Sequence, residues 1–140
     1  MMSADENTAT IRRFVETVWN GHHPSRVGEF HADEFTLNGE ACTPATFSSQ
    51  IAPIFEMLTD FKETVEALVA EGDRVAYRWT QGGTDPRTGE WRSWGGMSMS
   101  RLTDGKIVEE WYYNELTDAE AEEALAWLEA HRGERPASSG

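Results

Sequence analysis

The spacing of apolar residues changes from a helical period to a period of two near Phe61. Before that point, helical spacing recurs in three segments. They are a long helix between residues 7 and 20, a short helix opened by Pro24, and a third helix that begins at Thr43 and Pro44. The first 60 residues therefore predict three helices, with one short extended segment at residues 35–38.

The remainder of the chain alternates apolar and polar residues between turn sequences. Gly72-Asp73, the loop 85–89 and Asp104-Gly105 separate four such segments, and an Asp-Gly pair is a strong hairpin signal. A capping box at residues 117–120 begins a final helix that runs to about His131. Helices followed by a long antiparallel sheet predict an α+β fold. We expect the N-terminal helices to cover a curved antiparallel sheet and to leave a conical space suited to an apolar pocket.

We expect one domain over residues 1–132, because the chain contains no interior linker and no internal repeat. Residues 133–140 are small and polar. Such terminal segments have little to anchor them, so we expect a disordered tail there.

Composition restricts the function classes that this chain can serve. The 25 Asp and Glu residues against 12 Lys and Arg give a formal charge of −13, so the surface repels phosphate backbones and anionic lipid. We therefore expect neither a nucleic acid nor a membrane partner. No apolar run approaches the roughly 20 residues that span a bilayer, and the N-terminus lacks signal-peptide features, so we expect a cytoplasmic location.

The cysteine and histidine residues predict neither a disulfide nor a metal site. Cys42 is the single cysteine, and no disulfide can form within a chain that has only one. His22 and His23 fall in the turn after the first helix, and His31 follows nine residues after His22. No pair has the i, i+4 spacing of a helical metal site. We interpret His22 and His23 as turn residues and His31 as a residue that caps or packs the second helix.

Several stretches of the chain carry a resemblance to a known family. They are residues 11–16 with 19–21, 58–62, 69–79 and 104–111. Their order and spacing resemble the nuclear transport factor 2-like superfamily and, within it, the SnoaL-like polyketide cyclases. The resemblance covers about residues 11–116. It implies a conical α+β barrel with a deep apolar cavity, a homodimer formed through the outer sheet face, and cofactor-free chemistry on hydrophobic small molecules.

The resemblance does not specify the activity, because cyclases, isomerases and noncatalytic proteins share this scaffold. The activity has to be inferred from the site residues. In SnoaL-like cyclases an Asp after the Trp of the last strand acts as general acid/base. Counted from Trp111, that position falls on Glu115. Counted back from Leu116, it falls on Asn114. A Glu keeps the acid/base chemistry with a longer side chain, whereas an Asn only forms hydrogen bonds.

The resemblance to ketosteroid isomerases of the same superfamily marks three further positions. Their first-helix Tyr is matched by Phe14, their base lies near Asn38 or Gly39, and their second acid lies near Ser98. All three positions lack the group that the isomerase needs. The resemblance therefore does not predict steroid-type isomerisation, and these residues remain candidates for ligand binding.

Alternation divides the last strand into two faces, one with Glu110, Tyr112 and Asn114 and the other with Trp111 and Glu115. The isomerase resemblance places the first set inward, whereas the spacing from Trp111 favours Glu115. Burial among aromatic residues would raise the pKa of Glu110 toward the range useful for proton transfer. The alternative is that Glu110 belongs to a solvated acidic strand face.

The leading hypothesis is a cofactor-independent cyclase or isomerase-type enzyme that acts on a hydrophobic polyketide or terpenoid intermediate by acid/base chemistry. The alternative is a noncatalytic small-molecule-binding or dimeric accessory protein. The predicted catalytic residues are Glu110, Glu115, Asn114 and Tyr112, and the predicted ligand-binding residues are Phe14, Val18, Asn38, Tyr77, Trp79, Gln81 and Ser98.

Overall fold

The computed structural model describes residues 2–131, so the predicted disordered tail at 133–140 lies outside the described residues. The elements in chain order are α1 (Ala4–Phe14), a π-helical segment (Val15–Asn20), a 3-10 helix (Pro24–Glu29), β1 (His31–Leu37), β2 (Glu40–Cys42), α2 (Pro44–Met57), β3 (Lys62–Glu71), β4 (Arg74–Thr84), β5 (Trp91–Thr103), β6 (Lys106–Asn114) and α3 (Asp118–His131). The α+β class and the order of the long elements agree with the prediction. No helix in residues 2–131 is long and apolar enough to cross a membrane.

The six strands form one sheet in the order β2-β1-β6-β5-β4-β3. Register shifts interrupt the β3–β4 and β5–β6 pairings, and such irregularities bend a sheet. The sheet curls without closing, because β2 and β3 remain as its two edges. One pairing differs from the predicted antiparallel sheet: β1 lies parallel to β6. This pairing begins where the backbone N–H of Ile107 donates to the carbonyl of Phe30, 2.8 Å away.

The first helix starts earlier than the apolar spacing predicted and changes its winding before its end. Ser3 and Glu6 form a capping box, which begins α1 at Ala4. From Val15 the helix continues as the π-helical segment and ends at Asn20. The Asn20 side chain then pairs with the backbone of Glu63, accepting from its N–H at 2.7 Å and donating to its carbonyl at 2.9 Å. The helix end is thereby attached to the start of β3.

The core lies between the helices and the inner face of the sheet. Ile11, Phe14 and Val18 are completely or almost completely buried, and they pack in one cluster with Val75 and Ile107 of the sheet. Burial of these apolar side chains is the main force that holds the helices on the sheet. The apolar spacing of residues 7–20 therefore correctly predicted which side of the first helix faces the sheet.

The C-terminal helix begins at the predicted capping box. The backbone N–H of Glu120 donates to Thr117 Oγ1 at 3.1 Å, and the backbone N–H of Thr117 donates to the Glu120 carboxylate at 2.8 Å. Leu128 is buried, whereas Leu125 is 48% exposed. The apolar side of this helix is therefore narrower than its sequence indicated.

Candidate active site

A cavity of about 140 Å³ lies between α2 and the inner face of the sheet. It is lined by Trp19 of the π-helical segment, by Phe47, Gln50, Ile51 and Ile54 of α2, and by Glu63, Tyr77, Trp79, Gln81, Ser98, Glu110, Tyr112 and Asn114 of β3 to β6. The α2 side is largely apolar and the sheet side is largely polar. An engineered apolar cavity of about 150 Å³ binds benzene, so this cavity holds a group the size of one aromatic ring.

A buried histidine and a buried carboxylate lie in contact at one wall of the cavity. His31 Nε2 is 2.8 Å from Glu110 Oε1, and both side chains are almost fully buried. The rings of Phe14, Phe35 and Phe47 surround the imidazole at centroid distances of 5.0, 4.6 and 5.4 Å. An ion-pair or hydrogen-bond partner is what makes a buried carboxylate tolerable in such apolar surroundings.

The environment of His31 indicates which imidazole nitrogen carries the hydrogen. Nδ1 has no hydrogen-bond partner among the described residues. A neutral imidazole has one donor and one acceptor, and an unpaired buried donor is costly. The hydrogen therefore belongs on Nε2, which donates to Glu110.

The parallel pairing of β1 with β6 brings these two residues together. His31 is the first residue of β1 and lies opposite Ile107 of β6. The interpretation of His31 as a cap or packing residue of the second helix was wrong, since the 3-10 helix ends at Glu29 and His31 begins a strand.

A second buried carboxyl group, Glu63 of β3, lines the same cavity. Its Oε1 accepts a hydrogen bond of 2.5 Å from Gln81 Nε2, and Gln81 Oε1 accepts one of 3.1 Å from the Trp94 indole N–H. Burial raises the pKa of Glu63 to about 7, the Gln81 hydrogen bond opposes this rise, and the nearby charge of Glu110 adds to it. Near neutral pH, Glu63 is therefore present in both the protonated and the ionised form.

Two tyrosines and a serine complete the polar side of the cavity. Burial raises the pKa of Tyr77 well above 10, with the charges of Glu63 and Glu110 adding to the effect. Burial also raises the pKa of Tyr112. Both phenols are neutral donors at ordinary pH. Ser98 Oγ accepts a 2.8 Å hydrogen bond from the Trp79 indole N–H.

The structure brings seven of the predicted site residues to the cavity: Glu110, Asn114, Tyr112, Tyr77, Trp79, Gln81 and Ser98. On β6 it places the set that contains Glu110 on the cavity side. Glu110 is 4% exposed, so it does not belong to a solvated acidic face.

Four predicted site residues lie away from the cavity lining. Glu115 follows the end of β6, is exposed, and places its carboxylate beside Gly95. Phe14 of α1 and Val18 of the π-helical segment belong to the core, because both side chains are turned toward the sheet. Asn38 is exposed in the turn after β1, where its side-chain oxygen accepts a 2.8 Å hydrogen bond from the Tyr112 backbone N–H. It therefore holds the turn against β6.

Two features of the site were not predicted from the sequence: Glu63, and the pairing of His31 with Glu110. The alternation of Phe61, Glu63 and Val65 at the start of β3 puts Glu63 on the same side as two apolar residues, a signal that could have identified it. The contact of His31 with Glu110 spans 79 positions and carries no comparable local signal. Among residues 2–131, no group of three His, Cys, Asp or Glu side chains is arranged to hold a metal ion.

Known structures share this fold. AclR of Streptomyces galilaeus, provisionally named a hydroxylase, is 22% identical, with a TM-score of 0.71 over 86% of this chain and 96% of its own. IdmH of Streptomyces antibioticus, provisionally named a polyketide cyclase, is 22% identical, with a TM-score of 0.72 over 86% of this chain and 98% of its own. A protein of Catenulispora acidiphila with a ketosteroid isomerase-like fold, solved with trimethylamine, is 18% identical, with a TM-score of 0.65 over 74% of this chain and 83% of its own.

These identities are below 25%, so the three structures establish the fold and leave the reaction open. A search of the curated proteins returned no match. The sequence model of the SnoaL-like polyketide cyclases matches residues 9–122, which confirms the resemblance found in the sequence. Because that match covers most of the 140 residues, the chain belongs to the SnoaL-like polyketide cyclase family.

Proposed function

We propose that the protein is a cofactor-independent cyclase or isomerase-type catalyst that removes and returns a proton on a hydrophobic small molecule, such as a polyketide or terpenoid intermediate. The observation that carries this proposal is the buried Glu110 carboxylate, which contacts His31 and opens onto a cavity with an apolar wall. The family and the names of its structural neighbours support the cyclase type.

Glu110 is the general base in this proposal. His31 occupies Oε1 of Glu110, which leaves Oε2 for the substrate. The base takes a proton from a carbon next to a carbonyl group and returns it later in the reaction. Positioned acid/base groups of this kind typically contribute about 10²- to 10⁴-fold to a rate.

Neutral donors and the apolar wall orient the substrate. Tyr77 and Tyr112 supply phenolic hydrogens to the same cavity, and Asn114 supplies an amide near them. Ile51 and Ile54 of α2 hold the hydrophobic part of the molecule against these donors. Because the cavity holds about one ring, we expect the reacting ring to enter it while any larger part of the substrate stays outside.

A second candidate function follows from the position where family cyclases carry an Asp. Here that position is either Asn114, which lines the cavity without an acid, or Glu115, which is exposed. A protein that binds a hydrophobic molecule without turnover would keep the cavity and need no base.

Proton exchange of a small ketone separates the two functions. In D₂O buffer, exchange of the α hydrogens of 2-indanone is followed by proton NMR with wild type, Glu110→Gln and Glu109→Gln. Glu109 precedes Glu110 and lies on the opposite side of β6, within 3.6 Å of Arg74, so it is the matched control. We expect wild type and Glu109→Gln to accelerate exchange over buffer and Glu110→Gln to lose about 10²-fold or more of that acceleration.

Two results would contradict acid/base catalysis by Glu110. If 2-indanone binds to wild type without faster exchange than in buffer, the noncatalytic function is favoured. If Glu115→Gln removes the acceleration and Glu110→Gln retains it, the base lies at the rim of the cavity.

A further inference from the structure

One oxygen in the cavity is buried without a partner. Glu63 lines the cavity and is 3% exposed, and its Oε2 forms no hydrogen bond with any described residue. Buried polar atoms in proteins are almost always hydrogen-bonded. Because Glu63 lines the cavity, the unpartnered oxygen of its carboxyl group indicates a ligand atom that completes it.

The neighbouring side chains decide whether that ligand atom is a donor or an acceptor. The Trp94 indole can only donate, so the Gln81 amide must present its oxygen to Trp94 and its NH₂ group to Glu63. Oε1 of Glu63 is consequently an acceptor. When Glu63 is protonated, its hydrogen belongs on Oε2, and the group facing it must be an acceptor such as a carbonyl oxygen.

We propose that Glu63 is the general acid of this site, and that its Oε2–H donates to the carbonyl oxygen of an enolisable ketone of about one ring whose α carbon lies at Glu110. This inference rests on the proposed function and adds to it the second proton carrier. Glu63 and Glu110 come from different strands, β3 and β6, and line the same cavity.

The step balances without any further reactant. Glu110 takes the α proton, the electron pair of the broken C–H bond forms the C=C bond, and the carbonyl π pair takes the proton from Glu63 Oε2. Neutral ketone becomes neutral enol, while the negative charge passes from Glu110 to Glu63. The Gln81 N–H already points at Glu63 Oε1, so it stabilises the carboxylate that forms.

Ring closure would restore both groups. The enol carbon attacks a second carbonyl in the same molecule, and the C=C pair becomes the new C–C bond. The enol hydroxyl returns its proton to Glu63, and Glu110 gives its proton to the new alkoxide oxygen. The products are a β-hydroxy ketone, an ionised Glu110 and a protonated Glu63, so the site is ready for another cycle.

The pH dependence follows from the groups around Glu63. Those that line the same cavity are Glu110 and Tyr112 on β6 and Tyr77 on β4. His31 lies beyond Glu110 on β1. Arg12, Glu16, Asp60 and Lys62 lie along the outer groove that Glu63 also lines. The negative charge of Glu110 opposes ionisation of Glu63, as does burial, so the pKa of Glu63 lies at about 7. Donation from Oε2 therefore predominates below about pH 7 and declines above it.

The test uses 2-indanone labelled with ¹³C at its carbonyl carbon. A hydrogen bond from an acid moves the carbonyl resonance of the bound ketone downfield. We expect the bound signal of wild type to move upfield as pH rises from 5.5 to 8.5. Glu63→Gln should show no such pH dependence, because its amide does not ionise. Glu66→Gln is the matched control, since Glu66 is an exposed acid on the same strand, and it should behave as wild type.

Exchange kinetics give the catalytic readout. We expect Glu63→Gln to slow the α-hydrogen exchange of 2-indanone by about 10²-fold, because an amide can donate a hydrogen bond but cannot transfer the proton. Above pH 7 the wild-type rate should decline with rising pH, and the rate of Glu63→Gln should not share that decline. An unchanged rate and pH profile in Glu63→Gln would overturn the proposal.

Two further variants keep the test decisive. Glu110→Gln should lose exchange and retain the pH-dependent carbonyl shift, so failure of the base and failure of the acid are distinguishable. If Glu63→Gln does not fold, Trp94→Phe removes only the donor that orients Gln81 and should reduce the carbonyl shift at pH 5.5. A wild-type carbonyl signal that is independent of pH, or no binding of 2-indanone, would show that Glu63 does not donate to this class of ketone.

Discussion

Glu63 and Glu110 differ in their partners although both are buried carboxyl groups of one cavity. Glu110 contacts an imidazole that carries a hydrogen on Nε2, whereas Glu63 contacts a neutral amide. A hydrogen bond from an amide does not offset burial completely, so Glu63 takes up a proton near neutral pH. Two carboxyl groups whose surroundings differ in this way can serve as base and acid in one reaction.

The raised pKa of Glu63 predicts how stability changes with pH. Between its ordinary value of 4.5 and about 7, the folded protein binds more protons at Glu63 than the unfolded chain does. The free energy of unfolding therefore falls as pH rises through this window, by up to about 3 kcal/mol at 1.36 kcal/mol per pKa unit. Urea denaturation at pH 5 and pH 8 measures this change.

The same measurement on Glu63→Gln isolates the residue. This variant should lose less stability than wild type between pH 5 and pH 8, whereas Glu66→Gln should follow wild type. A pH dependence in Glu63→Gln equal to that of wild type would mean that Glu63 ionises alike in the folded and unfolded chains.

At the scale of elements, a glycine in β5 makes room for the Trp79 side chain, which lines the cavity. Gly96 is paired with Trp79 of β4. A Cβ atom on Gly96 would lie 2.3 Å from the Trp79 indole and 2.7 Å from the carbonyl oxygen of Tyr113. The indole therefore lies across the strand at Gly96 and reaches Ser98, to which it donates its hydrogen bond.

Replacing this glycine should disturb the strand and the cavity wall together. We expect Gly96→Ala to lower the free energy of unfolding by about 1–3 kcal/mol, the usual cost of overpacking, and to alter tryptophan fluorescence. Gly28→Ala is the control, because a Cβ atom there would be at an ordinary 3.7 Å from Pro44. Equal denaturation midpoints for Gly96→Ala and wild type would mean that Trp79 moves aside without cost.

Elements differ in how well periodicity predicts them. The helices and β3 to β6 have clear apolar spacing and turn residues, so their order could be read from the sequence. The parallel pairing of β1 with β6 could not be predicted from the sequence. It depends on where the 3-10 helix places the start of β1 relative to the sheet, and local spacing does not contain that position. That contact decides the site, since it brings His31 to Glu110.

At the scale of the whole molecule, the outer face of the sheet exposes apolar side chains. Met97 and Met99 of β5, Val69 of β3 and Tyr113 of β6 are 57%, 41%, 71% and 72% exposed. Met99 lies opposite Trp111, and Met97 lies opposite Tyr113. Exposed apolar patches of this kind mark interaction surfaces. Glu109 lies on the same face, near Arg74 and Arg101. Because these arginines offset its negative charge, Glu109 would not oppose the binding of a second copy of the chain.

We therefore expect a homodimer through this face, measured by sedimentation velocity at micromolar concentration. Met99→Lys should yield a monomer, because the lysine would bring an unpaired charge into the contact. Leu125→Lys, at an exposed apolar position on α3, should remain a dimer. A monomeric wild type, or a dimer that survives Met99→Lys, would contradict this assembly.

The sequence by itself determined the α+β class, the order of the long elements and the family, and it reduced the inward face of the last strand to two alternatives, of which the structure selected the Glu110 set. These features depend on local spacing and on motifs whose residues lie close together in the chain. Only the tertiary structure decided that His31 contacts Glu110, that Gln81 and Trp94 orient Glu63, and that Glu115 lies outside the cavity. The physical reason is that partners of buried polar groups are chosen by sheet pairing between distant segments, and the pKa of Glu63 depends on those partners and on burial, neither of which a local pattern contains.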